Sequence, residues 1–126
     1  MSSEATGKPT LDVASGVSRN AILIRLEGEL DVDALPVLRE HLRRVWELPP
    51  KKFLILDLGE VSFCDSMGMN ELVEILHRCE ARDTRLLLGG VQGVMARVLS
   101  ITGLRHAFEV FAHLDDALRT AVAAPP

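Results

Sequence analysis

The sequence predicts an α/β domain: a mixed, mostly parallel sheet of four to five strands with about four helices. Three observations lead there. Strand-like and helix-like periods alternate in the order ββαβαβαβα, the pattern that crossover helices between parallel strands produce. Residues 53–58 (FLILDL) form a near-continuous apolar run, as a central strand covered on both faces should. Pro49-Pro50 and Gly89-Gly90 punctuate the pattern where elements must end.

In chain order, residues 10–14 read as a weak first strand, closed by a turn at Ser15-Gly16. Residues 21–26 (AILIRL) are a stronger strand, rich in β-branched residues. The two should form an antiparallel hairpin at the sheet edge. Asp33 offers an N-cap and Pro36 suits the first turn of a helix, where its missing N–H costs little. Leu35, Leu38, Leu42 and Val45 then recur at helical spacing, and Pro49-Pro50 stops that helix. After the central strand, a helix is predicted over 66–81, with Met69, Leu72, Leu76 and Cys79 on one face and Val73 and Ile75 widening it. Residues 85–88 are a second buried strand. Val94, Val98, Leu99 and Ile101 mark a third helix, and Gly103 suits its C-terminal left-handed position. Residues 108–111 form a short strand. A last helix covers 114–122, with Asp115 and Asp116 placed favourably at its N-terminal dipole. The domain is expected to span 10–122, with residues 1–9 and 123–126 as flexible termini.

Bulk composition narrows the function. The chain has 126 residues, 48% apolar and 25% charged, which suits one globular domain with its own core. A net charge of -4 gives no electrostatic reason to bind nucleic acid or an anionic membrane. No apolar run is long enough to span a bilayer, and the start lacks the apolar core of a signal peptide. A cytoplasmic protein is expected. Cys64 and Cys79 then read as free thiols. No metal is expected, since the cysteines and His41, His77, His106 and His113 lack ligand spacing.

Function in open α/β sheets gathers beyond the carboxyl ends of the strands. Two acidic segments lie there: Gly28-Glu29-Leu30-Asp31 and the stretch from Val61 to Gly68. The second leads into a helix and sets Ser66 at its N-terminus, among orphan backbone amides and the positive dipole end. Ser66 or Asp65 is an ordinary capping residue there, or Ser66 accepts a phosphoryl group whose roughly -1.5 to -2 charges the helix end accommodates. Gly68 is a poor helix former. It marks either a tight helix–sheet contact or the close approach of a partner. Asp57 interrupts the apolar strand and reads as a buried acid, a ligand or a strand-end residue facing solvent or a loop, the last being preferred. Glu71, Glu74 and Arg78 read as a solvated face, with Glu74 and Arg78 paired. Trp46 reads as a core edge, and Arg39, Arg43 and Arg44 as solvated charges.

The string Asp57-Leu58-Gly59-Glu60-Val61-Ser62-Phe63-Cys64-Asp65-Ser66-Met67-Gly68-Met69 resembles the signature of the STAS family, in which D-L and a V-x-F-x link precede D-S-S/T-G-L at a helix start. The upstream Leu26-Glu27-Gly28-Glu29-Leu30-Asp31 is similar to that family's L-x-G-E-L-D. The downstream Leu99 to Leu104 and Phe108 to Phe111 are similar to its L-x-x-x-G-L and F-x-V/I-F segments. The resemblance implies a STAS fold, no enzymatic activity and no cofactor. It implies an anti-sigma factor antagonist that binds an anti-sigma factor serine kinase when unphosphorylated and so frees a sigma factor. By the same resemblance, Ser66 is the phosphorylation site, and a PP2C-type phosphatase restores binding. Asp31, Asp65, Ser66, Met67, Gly68 and Met69 form the partner-binding set. A monomer or weak dimer is expected. The chain departs from the pattern at Met67, where a second Ser or Thr is common, at Met69, where Leu is usual, and at Asn70, where Gly is frequent.

Two rivals remain. A phosphotransfer receiver would need a lysine near the last core strand, but lysine occurs only at 8, 51 and 52; no G-x-x-x-x-G-K-S/T loop exists for a P-loop enzyme. A STAS scaffold in another assembly, stressosome-like or a lipid-transport accessory, would share the fold and differ in partner.

Overall fold

The computed structural model describes residues 11–124; residue 10, the predicted flexible segment 1–9, and residues 125–126 lie outside it. Five strands and four helices alternate: β1 (Leu11–Val17), β2 (Ala21–Leu30), α1 (Leu35–Glu47), β3 (Phe53–Cys64), α2 (Ser66–Ala81), β4 (Arg85–Gly89), α3 (Gly93–Thr102), β5 (Glu109–Val110) and α4 (Leu114–Ala123). The sheet order is β1-β2-β3-β4-β5. β1 pairs antiparallel with β2, and every other pairing is parallel. Fold class and element order are those the sequence predicts.

The apolar run of β3 is explained by two cores. Leu54, Leu56 and Leu58 face a large core shared with Leu38, Leu42, Leu72, Ile75 and Leu99. Phe53 and Ile55 face a smaller one with Leu87, Ala117 and Ala121 under α4. The strand is therefore apolar at nearly every position instead of alternating. The α1 stripe Leu35, Leu38, Leu42 and Val45 is buried as spaced, each side chain contributing about 1.5–3 kcal/mol of transfer free energy. Trp46 packs half-buried against the larger core. On the other face, Gly89 lets α4 approach: a Cβ there would stand 3.0 Å from Leu114 Cδ1 and 3.2 Å from its Cα. Gly103 takes φ 75° at the end of α3, the left-handed conformation expected of it.

Several boundaries differ from the sequence reading. β1 passes through Ser15-Gly16 and ends at Val17. The acidic segments after the second and third strands are not loops. β2 and β3 continue, paired, to Leu30 and Cys64. The cap before α1 is Asp31, not Asp33. Its carboxylate accepts the Ala34 amide at 3.1 Å and closes a short 3-10 turn over Val32–Ala34. α4 includes Ala123. Asp57 is not a solvated strand end but a buried acid, 5% exposed. It is held by Arg25 at 3.0 Å and accepts the Gly59 amide at 3.0 Å. Glu71 likewise leaves the solvated face: it is buried on α2 and pairs with Arg39 of α1 at 3.0 Å. Arg43 and Arg44 pair with Glu40, and Arg43 also with Glu47, while Arg78 lies 5.4 Å above the Trp46 ring.

Candidate functional site

The site is built on the shared end of β2 and β3. β4 leaves β3 at Asp57, so residues 60–64 pair with β2 alone. The register shifts between Gly28 and Glu29, where Val61 and Phe63 take successive partners and Ser62 is the extra residue. Gly28 has φ 120°, which a side chain would resist. The bulge breaks the alternation, leaving Val61 buried but Phe63 exposed.

The ribbon delivers Asp65 to the start of α2. Its Oδ1 accepts the Gly68 amide at 2.8 Å, an N-cap. Its Oδ2 accepts the Val32 amide at 3.3 Å, from the segment after β2. Its own amide donates to the Leu30 carbonyl at 3.2 Å. One residue therefore fixes the helix start and ties it to the neighbouring segment. Capping and site geometry belong to Asp65, which leaves Ser66 free of that duty. Ser66 is the first residue of α2 and is exposed, and its hydroxyl has no hydrogen bond within the described residues. The amides of Ser66 and Met67 have no intrahelical acceptor, so the helix end presents donors and its positive pole there.

The predicted set divides by burial. Asp31 and Asp65 are half-buried, with carboxylates engaged on backbone amides. Ser66 and Met67 are exposed, Met67 by 40%. Gly68 and Met69 face inward and are buried. A Cβ on Gly68 would overlap the Leu30 carbonyl oxygen and stand 2.9 Å from Leu30 Cγ and 3.1 Å from Cys64 Sγ. Of the two readings of Gly68, the tight helix–strand contact is the one present. Two neighbours that sequence reasoning missed, Val32 and Phe63, are exposed by 52% and 48%. With Met67 they put bare apolar side chains on the segments that frame Ser66. Phe63 was visible as a letter, but its outward direction follows from the bulge at Ser62, which no periodicity reveals.

Beside this surface, α1 and α2 enclose a groove of about 800 Å³, lined among others by Arg39, Trp46, Met67, Glu71 and Arg78. Cys64 and Cys79 are buried free thiols. Burial, with a smaller push from the Asp65 charge, raises the Cys64 thiol to about 12. Burial also raises Cys79 to about 12, against a smaller lowering effect of Arg82. His41 Nε2 shares a 3.0 Å hydrogen bond with Ser15 Oγ and His113 Nδ1 lies 3.3 Å from Gln92 Nε2; His77 and His106 are exposed. Among the described residues no group of three or more His, Cys, Asp or Glu could hold a metal ion, and no helix is long and apolar enough to cross a membrane.

Comparison with known proteins agrees with this architecture. Residues 9–117 match the sequence profile of the STAS domain. The anti-sigma-B factor antagonist of Bacillus subtilis is 30% identical over 102 residues, covering 81% of this chain and 92% of that protein. The crystal structure of an anti-sigma factor antagonist from Mycobacterium paratuberculosis superimposes with a TM-score of 0.76 at 22% identity, over 93% of this chain and 97% of the other. A sulfate transporter family protein from Wolinella succinogenes superimposes with a TM-score of 0.73 at 30% identity, over 85% and 88%. A single five-stranded mixed sheet, the profile match across most of the chain and the curated relative establish that this chain belongs to the STAS domain family.

Proposed function

We propose that the protein is an anti-sigma factor antagonist, a non-enzymatic cytoplasmic switch that binds an anti-sigma factor serine kinase and is turned off by phosphorylation of Ser66. The observation that carries this reading is the exposed Ser66 hydroxyl. It stands at the first position of a helix whose capping is done by Asp65. A phosphoryl group there meets helix amides on one side and solvent on the other. It adds charge to the surface without breaking a bond inside the fold. Val32, Phe63 and Met67 supply the apolar part of the docking surface, and Ser66 and Asp31 its polar part. Asp65, Gly68 and Met69 hold that surface in place from the side and beneath. Loss of binding on phosphorylation follows from burying a dianion against an apolar contact that provides no counter-charge. A PP2C-type phosphatase reverses the step, and the sigma factor is affected only through the kinase. The protein acts as a monomer or weak dimer.

The test uses purified anti-sigma factor kinases from the source organism with ATP. Expected are stoichiometric phosphate on wild type, none on Ser66→Ala, capture of one kinase by wild type and Ser66→Ala, and loss of capture with Ser66→Asp. Phosphate elsewhere, or equal capture by all three proteins, overturns the proposal. A second reading is a STAS scaffold in another assembly that is not phosphorylated. Met67 in the place of a second hydroxyl residue favours it, as does the likeness to the Wolinella succinogenes protein. Equal capture of a non-kinase partner by wild type and Ser66→Asp is its signature.

A further inference from the structure

Sulfur is unevenly distributed between the interior and surface of this domain. Among the described residues, Cys64, Cys79, Met69 and Met95 are all buried, Cys79 and Met95 fully. Both thiols are held protonated by burial, and a thiol reacts with peroxide through its thiolate. Met67 is 40% exposed and is the single accessible sulfur of that set. A thioether needs no deprotonation to react, so exposure alone governs its oxidation. Met67 also follows Ser66 directly and is among the residues lining the α1–α2 groove. Its side chain thus borders both the surface around Ser66 and the groove.

We propose that Met67 is a peroxide-sensitive modification site whose oxidation weakens partner docking independently of Ser66 phosphorylation. The inference rests on the partner-binding reading above. The Met67 thioether attacks one oxygen of hydrogen peroxide. An S–O bond forms, the O–O bond breaks, sulfur loses two electrons, and the second oxygen leaves as water after proton transfer. The product replaces a soft apolar group with a strong dipole and an acceptor oxygen. Val32 and Phe63, exposed on the same surface, offer that oxygen no donor, so it loses water when the partner docks. Ser66 and its amides are untouched, so the two modifications act on one surface by separate chemistry. Methionine sulfoxide reductases return the thioether, which makes the change reversible.

The experiment treats the full-length protein with hydrogen peroxide and localises added oxygen by peptide fragmentation, since residues 67 and 69 fall in one tryptic peptide. Oxidation at Met67 is expected to run roughly tenfold faster than at Met69 or Met95. Comparable rates at all three, or oxidation at Cys64 or Cys79 first, overturn the proposal. The oxidised protein is then assayed for capture of the anti-sigma factor kinase that the unoxidised protein captures. Roughly tenfold weaker capture is expected, restored by methionine sulfoxide reductases A and B. Met67→Leu, compared only with itself before and after peroxide, should show no change. Unchanged capture by oxidised wild type overturns this inference alone. No kinase captured by unoxidised wild type overturns the partner-binding reading, and the docking effect with it.

Discussion

Gly68 of α2 rests directly on the Leu30 carbonyl of β2, and no side chain fits between them. The contact brings the helix start down onto the paired ends of β2 and β3 and fixes the height at which Ser66 stands. Gly68→Ala must push the helix off the strand or strain it. Overpacking of this kind costs typically about 1–3 kcal/mol, and with a backbone carbonyl as the obstacle the cost lies toward the upper end and exceeds the gain in helix propensity of about 1 kcal/mol. Chemical denaturation should therefore show a less stable variant. A variant as stable as wild type would mean that α2 shifts freely at this point.

Asp65 joins two segments through one carboxylate, by the Gly68 and Val32 amides. Asp65→Ala should lose about 1–2 kcal/mol, the cap contributing most of it because exposed Val32 can turn to water. Asp65→Asn keeps one acceptor oxygen and should lose less. Amide hydrogen exchange should rise at both Val32 and Gly68 in Asp65→Ala, and at Val32 alone in Asp65→Asn, whose single oxygen keeps the shorter bond to Gly68. Unchanged exchange at Val32 would show that the link across the two segments contributes nothing.

Arg25 is more than half exposed, whereas its partner Asp57 is buried. Removing the arginine leaves a carboxylate in a poorly hydrated position. Arg25→Ala should cost about 1–2 kcal/mol, more than a typical surface pair. Adding Asp57→Asn, which keeps an acceptor for the Gly59 amide, should recover most of that loss. A double variant no better than Arg25→Ala would indicate lost packing of the arginine stem rather than a stranded charge.

Cys64 and Cys79 titrate near 12 in the folded protein, against an ordinary value of 9.0. The folded state therefore keeps these protons over a range where the unfolded chain loses them. Their contribution to stability is intact below pH 9 and declines as pH rises toward 12. Urea midpoints for wild type should fall across that window, and the fall should be shallower in Cys64→Ala with Cys79→Ala. In native protein near pH 8 both thiols should react slowly with a maleimide, and quickly in urea. Fast native labelling would contradict their burial.

The sequence made the order of elements, the double coverage of β3 and the start of α2 legible. Each rests on a local signal: alternation of periods, an unbroken apolar run, and Asp-Ser before a helical stripe. The shared end of β2 and β3 was not legible. Gly28 to Leu30 and Gly59 to Ser62 are polar or lack alternation, because this ribbon lies past the point where β4 pairs with β3. Their strand character comes from each other. Asp57 and Glu71 were misread for a related reason: each is a charged side chain whose burial depends on an arginine 32 residues earlier in the chain. Periodicity reports on one element at a time and cannot see such a partner. Ser66 and Asp65 stand at the start of α2, as the sequence places them, while the division of labour between them emerges only from the hydrogen bonds.

The sheet order β1-β2-β3-β4-β5 is also the order in which the strands are synthesised. No strand has to wait for a later one to be inserted between itself and its neighbour, so the sheet can grow along one edge as the chain leaves the ribosome. The segment from Gly28 to Met69 is made before β4, α3 and α4. The remaining residues bring α3 and α4 over structure already laid down. Every strand that frames Ser66 therefore precedes β4 and its helices in the chain, and the elements that follow are added at the far edge of the sheet or across its faces.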